Sequence, residues 1–103
     1  MSAAVLRVVR KNVENPDAYD LHDAIVTVDG NKVGQVSLGS EQEFPIQAGA
    51  HDVAIRLGMN FNKAEVSIDA PDDRIVVITC EKARPARNLI FHPSHYWRLS
   101  VDS

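Results

Sequence analysis

Hydrophobic and polar positions alternate along most of the apolar stretches of this chain. Val, Ile and Ala alternate with other residues in segments 24–28, 51–57 and 63–69. Alternation with a period of two places one set of side chains on each face of a β-strand, so that one face can be buried. The pattern therefore predicts strands in these segments, and further strands at residues 4–10 and 96–101.

The strand at residues 24–28 is followed at once by Asp29 and Gly30. These residue types adopt the positive φ angles that a tight turn between antiparallel strands requires. We therefore expect a hairpin whose second strand includes residues 33–36. Because a glycine inside a strand often marks a β-bulge or a close approach of another segment, Gly34 predicts one of these two features.

A second hairpin is expected from the segments 43–46 and 51–57, joined by a turn at residues 47–50. The later strand should direct its Val, Ile and Leu side chains inward. Pro45 has no N–H group to donate to a neighbouring strand, which predicts that the earlier strand lies at the edge of its sheet or pairs with the Pro45 nitrogen facing outward.

Residues 74–80 carry four consecutive apolar residues, Ile75 to Ile78, without alternation. Such a run is typical of a strand that is covered on both faces, and it predicts a central position in a sheet. A turn at residues 70–73 precedes it. The two long connections, residues 12–22 and 81–93, each have room for one turn of helix.

Strands that recur about every ten residues between turn signals predict an all-β fold. We expect an antiparallel two-sheet sandwich of about seven or eight strands, similar in general shape to transthyretin or an immunoglobulin domain. The length of 103 residues is typical of one domain, so residues 1–103 are expected to form a single unit.

Charge and cysteine content narrow the functional classes. The net charge of −3 argues against a general nucleic-acid-binding protein, which normally carries a basic surface. Cys80 is the only cysteine, so an intramolecular disulfide is excluded. Arg7 and Arg10 interrupt the apolar N-terminal segment, which argues against a signal peptide. No apolar run reaches the roughly 20 residues that a membrane-spanning helix needs. These features predict a cytoplasmic location.

Two segments together resemble a known kind of domain. Residues 25–34 read Ile-Val-Thr-Val-Asp-Gly-Asn-Lys-Val-Gly, and residues 46–53 read Ile-Gln-Ala-Gly-Ala-His-Asp-Val. The succession resembles the small bacterial β-sandwich domains of the PEGA-like kind, and similar stand-alone bacterial β proteins. Ala48 stands where such domains usually have proline.

The resemblance covers residues 5–80 and implies a β-sandwich without catalytic activity, often used for interaction or display at a surface. It also implies that His51 is structural and ties a turn to the neighbouring backbone through a side-chain hydrogen bond. Residues 82–103 lie outside the resemblance and form the segment that is distinctive for this chain.

Catalytic and metal-binding patterns are weak. His92 and His95 could contribute imidazoles to a metal site, but Pro93 excludes the helical geometry that would bring them to one face. Cys80 ends an apolar strand, where cysteine usually behaves as a small buried hydrophobic residue. No serine lies in a Gly-x-Ser-x-Gly segment. We therefore predict neither an enzyme nor a cofactor, with a metal site at the two histidines as an alternative.

Basic and aromatic residues concentrate in the C-terminal segment, residues 82–103. Arginines in this position could meet a phosphate or an acidic partner, and Tyr and Trp are enriched at interface hot spots. Our candidate binding residues are Arg84, Arg87, Tyr96, Trp97 and Arg98.

The sequence as a whole favours a non-catalytic protein-interaction or structural module. Self-association through an edge strand is one route, because such a strand has unpaired backbone groups. The alternative is a binding protein for a small ligand or carbohydrate, with Tyr96 and Trp97 as a stacking platform.

Overall fold

The computed structural model of the protein describes residues 3–16, 21–57, 61–82 and 97–102. These residues form eight β-strands in two four-stranded sheets. Sheet A has the strand order β4-β1-β7-β8, and sheet B has the order β3-β2-β5-β6. The strands are β1 (Ala3–Arg10), β2 (Ala24–Val28), β3 (Asn31–Val36), β4 (Glu41–Gln47), β5 (Gly49–Leu57), β6 (Phe61–Ala70), β7 (Ile75–Lys82) and β8 (Trp97–Asp102).

The predicted all-β, two-sheet sandwich is confirmed, and the strand count agrees with the expectation. The helical turn considered for residues 12–22 does not occur in its described part, which consists of bends, turns and irregular backbone. Most of the other long connection, residues 81–93, lies outside the described residues. One buried cluster between the two sheets receives side chains from both of them.

One strand pair departs from the expected antiparallel arrangement. β1 and β7 pair in parallel, from Val5 opposite Ile75 to Arg10 opposite Cys80. The ladder begins where the turn before β7 meets the start of β1: the Asp73 N–H donates to the Ala3 carbonyl at 2.9 Å. Because the two strands are far apart in sequence, a local pattern gives no information about the direction of this pairing.

The first predicted hairpin, between β2 and β3, is confirmed. Asp29 and Gly30 have φ angles of 51° and 83°, and positive values at both central residues define a type I′ turn. The register shifts between Val26, opposite Gly34, and Thr27, opposite Lys32. The strand therefore contains a β-bulge at the place where Gly34 predicted an irregularity.

The second predicted hairpin is wrong. β4 pairs with β1 in sheet A, whereas β5 pairs with β2 and β6 in sheet B. The chain changes sheets at Ala48, and Gly49 begins β5 with a φ of 117° that favours glycine. A corner between two sheets and a hairpin turn both use small residues and glycine, so the sequence did not distinguish them. The edge position of β4, expected from Pro45, is confirmed.

The central position of β7 is confirmed, but its predicted burial on both faces is wrong. Val76, Ile78 and Cys80 are fully buried, whereas Ile75 is 43 % exposed and Val77 is half-buried. β7 therefore has one core-facing side, and its other side belongs to the outer surface of sheet A.

The inward faces of the remaining strands agree with the alternation pattern. Val53, Ile55 and Leu57 of β5 are buried, and Ile68 of β6 joins them in the core. In β8, Leu99 packs against the core. The other residues predicted to face inward on β6 and β8 are less buried. Ala64 and Val66 are half-buried and packed on the core, and Val101 is 41 % exposed. The side chain of Trp97 is not among those described.

Candidate functional site: the outer face of sheet A

The outer face of sheet A carries apolar side chains on its two central strands. Val5 and Val9 of β1 and Val77 of β7 are half-buried there, beside the more exposed Ile75 and Pro45. We call the surface formed by these five residues the outer patch. Strand alternation turns the neighbouring residues of β1, β4 and β7 toward the core, and these five remain on the opposite side.

Cross-strand pairing brings part of the outer patch into one line. Val5 lies opposite Pro45 on one side and opposite Ile75 on the other. In the next row, Arg7 lies between Glu43 and Val77. Side chains directly opposite each other on one face of a sheet are close enough to contact, so the apolar row forms a continuous strip across three strands.

An open groove of about 250 Å³ extends from one end of this strip. Three residues at the start of β1 form one part of its wall, and the end of the turn before β7 together with the first residue of β7 forms the rest. Its lining consists of Ala3, Ala4, Val5, Asp73, Arg74 and Ile75. The lining of the groove therefore combines four apolar residues with one acidic and one basic residue.

Charged residues lie within and around the outer patch, and Arg7 stands between Val5 and Val9 on the outer face of β1. Arg7 Nε donates to Glu43 Oε2 at 2.8 Å, and this carboxylate raises the pKa of Arg7. Lys11 Nζ lies 3.9 Å from Glu81 Oε2. Exposed Glu41 lies on edge strand β4, and exposed Asp102 lies on edge strand β8.

The edge of β4 that faces away from β1 is poorly suited to strand addition. The Val5 N–H donates to the Arg74 carbonyl beside β7, so the Val5 backbone points away from β4. Its partner Pro45 must therefore direct its backbone to the outer edge, where its nitrogen has no hydrogen to donate. The same alternation places the backbone groups of Glu41 and Glu43 on that edge, and charged side chains and proline both hinder pairing with another chain.

The outer face of sheet B is more polar. Gln35 donates to Asp23 at 3.2 Å, Ser67 donates to Asp52 at 2.8 Å, and Lys63 pairs with Glu65. Two hydrogen bonds and one ion pair thus connect polar side chains on this face. Ile25 of β2 is half-buried on this face, so the larger set of partly exposed apolar side chains on an outer face belongs to sheet A.

His51 connects the first hairpin turn to the corner between the sheets. Its Nδ1 lies 2.7 Å from Asp29 Oδ2, and its Nε2 lies 2.6 Å from the Gln47 carbonyl oxygen. The Asp52 N–H also donates to Asp29 Oδ1, at 2.9 Å. A hydrogen bond from the His51 side chain to the neighbouring backbone, which the resemblance implied, is therefore present.

These contacts shift the ionisation of both side chains. Hydrogen bonds to the Asp29 carboxylate and the Gln47 carbonyl raise the pKa of His51, although partial burial opposes this. The Asp52 N–H, and then His51, lower the pKa of Asp29. Because Nε2 contacts a carbonyl, His51 is occupied on both sides and does not present a ring nitrogen to a substrate.

Cys80 is fully buried, and burial raises the pKa of its thiol to about 12, although Arg10 partly opposes the shift. A thiol with this pKa is almost completely protonated near neutral pH and is a poor nucleophile. The expectation that Cys80 is a buried residue is confirmed.

The buried Arg10 was not singled out from the sequence. It ends the inward-facing row of β1 with only 2 % of its surface exposed. Its Nη1 donates to the His22 carbonyl at 2.7 Å and to the Val36 carbonyl at 3.1 Å. The alternation of β1 does place residue 10 on the same side as Leu6 and Val8, which was the available signal.

Most of the predicted binding residues of the C-terminal segment lie outside the described residues. Trp97 and Arg98 belong to β8, where they lie opposite Lys82 and Glu81, but their side chains are not described. Five other predicted residues lie outside the described ranges: Arg84, Arg87, His92, His95 and Tyr96. The binding and metal hypotheses built on this set therefore stay predictions.

Within residues 3–16, 21–57, 61–82 and 97–102, no group of three or more His, Cys, Asp or Glu residues is arranged to hold a metal ion. In the same part of the chain, no helix has the length and apolar character needed to cross a membrane. The cytoplasmic location stays a prediction.

Comparison with known proteins gives a structural neighbour. The fold is similar to the solved structure of the N-terminal domain of AlgF from P. aeruginosa, with a TM-score of 0.53 and 12 % sequence identity, over 99 % of this chain and 95 % of that chain. At this identity the similarity shows the fold alone. No family model and no curated protein matches the sequence, so the PEGA-like resemblance also stays a prediction.

Proposed function

We propose that the protein is a non-catalytic interaction module that binds another protein through the outer patch of sheet A. The observation that carries this proposal is the apolar strip of Pro45, Val5 and Ile75, which continues to Val77. Apolar surface bordered by polar residues is typical of protein interfaces. The groove beside Ile75 offers a place for one apolar anchor side chain of the partner.

The charges around the outer patch favour a partner whose apolar surface is bordered by Lys or Arg. Glu43 is compensated by its ion pair with Arg7, which leaves Glu41 on one edge strand and Asp102 on the other as the carboxylates beside the patch. A second copy of this chain would present the same carboxylates, Glu41 and Asp102, at the edges of its own patch. Like charges across an interface oppose binding, whereas opposite charges favour it and increase the association rate.

Site-specific crosslinking tests the location of the interface. A photoreactive amino acid at position 77, on the outer patch, is compared in cells with one at position 35, on the outer face of sheet B. We expect position 77 to form an adduct with one protein that position 35 does not capture. Equal adducts from both positions, or adducts only with the same chain, would contradict the proposal.

Binding of that purified partner then tests the apolar strip. Ile75→Lys places a charge on the outer patch, and we expect the Kd to rise at least about ten-fold, equivalent to about 1.4 kcal/mol. Val33 is 38 % exposed on β3 of sheet B, so Val33→Lys is a matched control that should change the Kd less than about two-fold. An unchanged Kd for Ile75→Lys would exclude the patch as the interface.

A further inference from the structure

We propose that His51 forms a pH-dependent bridge between the two sheets, complete only while its ring carries both protons. The bridge consists of His51, the Asp29 carboxylate and the Gln47 carbonyl. It joins the hairpin turn of sheet B to the last residue of β4 in sheet A. This device does not depend on the proposed protein-binding function.

The identities of the two acceptors determine the protonation state. A carboxylate and a backbone carbonyl can only accept hydrogen bonds, and both lie within 2.7 Å of a ring nitrogen. Each nitrogen must therefore donate, which requires the doubly protonated imidazolium. In a neutral ring one nitrogen has a lone pair, and that lone pair would face an oxygen lone pair at hydrogen-bonding distance.

The surroundings of the ring favour its positive charge. Only 12 % of the His51 side chain is exposed, and the adjacent turn contributes the Asp29 carboxylate. His51 lies opposite the buried Ile68 on the inner face of sheet B, whereas Asp52 and Asp69 occupy alternate positions on the outer face. Among the described residues, the charged group placed against the ring is therefore the Asp29 carboxylate.

The loss of one proton should separate the two contacts. A charged carboxylate is a stronger hydrogen-bond acceptor than a carbonyl, so the neutral ring should keep its Nδ1 proton toward Asp29. Nε2 then loses its hydrogen, and the contact to Gln47 is lost. The end of β4 is thereby released from sheet B at the corner where the chain changes sheets.

The direction of the pH dependence follows from the pKa of His51, which is higher in the folded protein than in the unfolded chain. The stability from the bridge is complete below the ordinary histidine pKa of about 6.5, and it is lost as pH rises through the raised value. At acid pH, the lowered pKa of Asp29 keeps its carboxylate charged at pH values where an ordinary aspartate is already protonated.

Thermal unfolding from pH 5 to pH 9 tests the bridge, with His51→Gln as the variant that does not titrate. We expect the wild-type midpoint to exceed that of His51→Gln at pH 5.5, and the difference to shrink as pH rises. His22→Gln replaces an exposed histidine outside the bridge and should keep the wild-type pH profile. Parallel profiles for wild type and His51→Gln would overturn the proposal.

Nitrogen NMR of the His51 ring in the wild-type protein gives a second measurement that does not depend on folding of a variant. We expect both ring nitrogens to be protonated at pH 5.5, and Nε2 to lose its proton first as pH rises. Loss of the Nδ1 proton first would refute the proposed release of Gln47. A neutral ring at pH 5.5 would refute the bridge itself.

Discussion

At the scale of single residues, Gly34 and Phe44 fit together where β3 and β4 approach each other. A Cβ atom at Gly34 would lie 2.5 Å from Phe44 Cε1, which is well inside van der Waals contact. The aromatic ring thus occupies the space that a side chain on β3 would fill. Gly34 is required here by a close approach between the two sheets, in addition to its position beside the bulge.

We expect Gly34→Ala to lower the free energy of unfolding by about 1–3 kcal/mol, because the Phe44 ring must leave its packed position. The effect should shrink or reverse in the Phe44→Ala background, where the clash is gone and alanine restricts the unfolded chain more than glycine. A double-mutant cycle by urea denaturation measures this coupling. Equal costs of Gly34→Ala in both backgrounds would show that the clash is not the cause.

Cys80 provides a second test at this scale. Because burial raises the pKa of its thiol to about 12, a thiol reagent should react only when the protein opens. We expect the rate of modification by an aromatic disulfide at pH 8 to fall as the protein is stabilised, and to rise to the rate of a free peptide thiol in denaturant. Rapid reaction of the folded protein would contradict this burial.

At the scale of strands, the sequence predicted the elements whose signals are local. The β2–β3 hairpin depends on Asp29 and Gly30, and their positive φ angles are required by the turn itself. The pairing of β1 with β7 and the change of sheet after β4 depend instead on segments distant in sequence. Period-two alternation determines which side chains face inward, but it contains no information about which strand lies alongside.

The candidate site likewise combines features that local sequence patterns predict with features that depend on tertiary pairing. The alternation in β1 could indicate that Val5 and Val9 share a face, and Pro45 correctly predicted an edge strand. Only the tertiary pairing shows that Val5 lies between Pro45 and Ile75. The unbroken apolar run of β7 suggested burial on both faces, whereas one face contributes Ile75 and Val77 to the outer patch.

Protection of the β4 edge is testable at this scale. Pro45→Thr restores an N–H group on the outer edge, and Glu41→Thr removes a charge from it. We expect the double variant to self-associate at concentrations where the wild type is unchanged, as measured by light scattering. Gln42→Thr is the control, because its backbone points toward β1 and its exposed side chain is also polar. Equal association of the control variant would show that the edge is not responsible.

At the scale of the whole molecule, Arg10 links the two sheets from inside. It extends from the end of β1 in sheet A to the carbonyls of Val36, which ends β3, and His22, which precedes β2. A buried arginine in a row of apolar residues was not expected, because alternation alone does not show which carbonyls will surround its guanidinium. The linkage makes the stability of each sheet depend on the other.

Arg10→Met keeps much of the apolar stem but leaves both carbonyls without this donor, so we expect a loss of about 3 kcal/mol in the free energy of unfolding. Arg10→Lys keeps a cation and should recover part of that loss, although a shorter ammonium group reaches the two carbonyls less well. Amide hydrogen exchange then shows whether the sheets are coupled. In Arg10→Met, amides of β1 and β7 in sheet A and of β2 and β5 in sheet B should all exchange faster by a similar factor, because both sheets lose the same contact. Faster exchange in one sheet alone would show that Arg10 stabilises its own strand rather than the joint between the sheets.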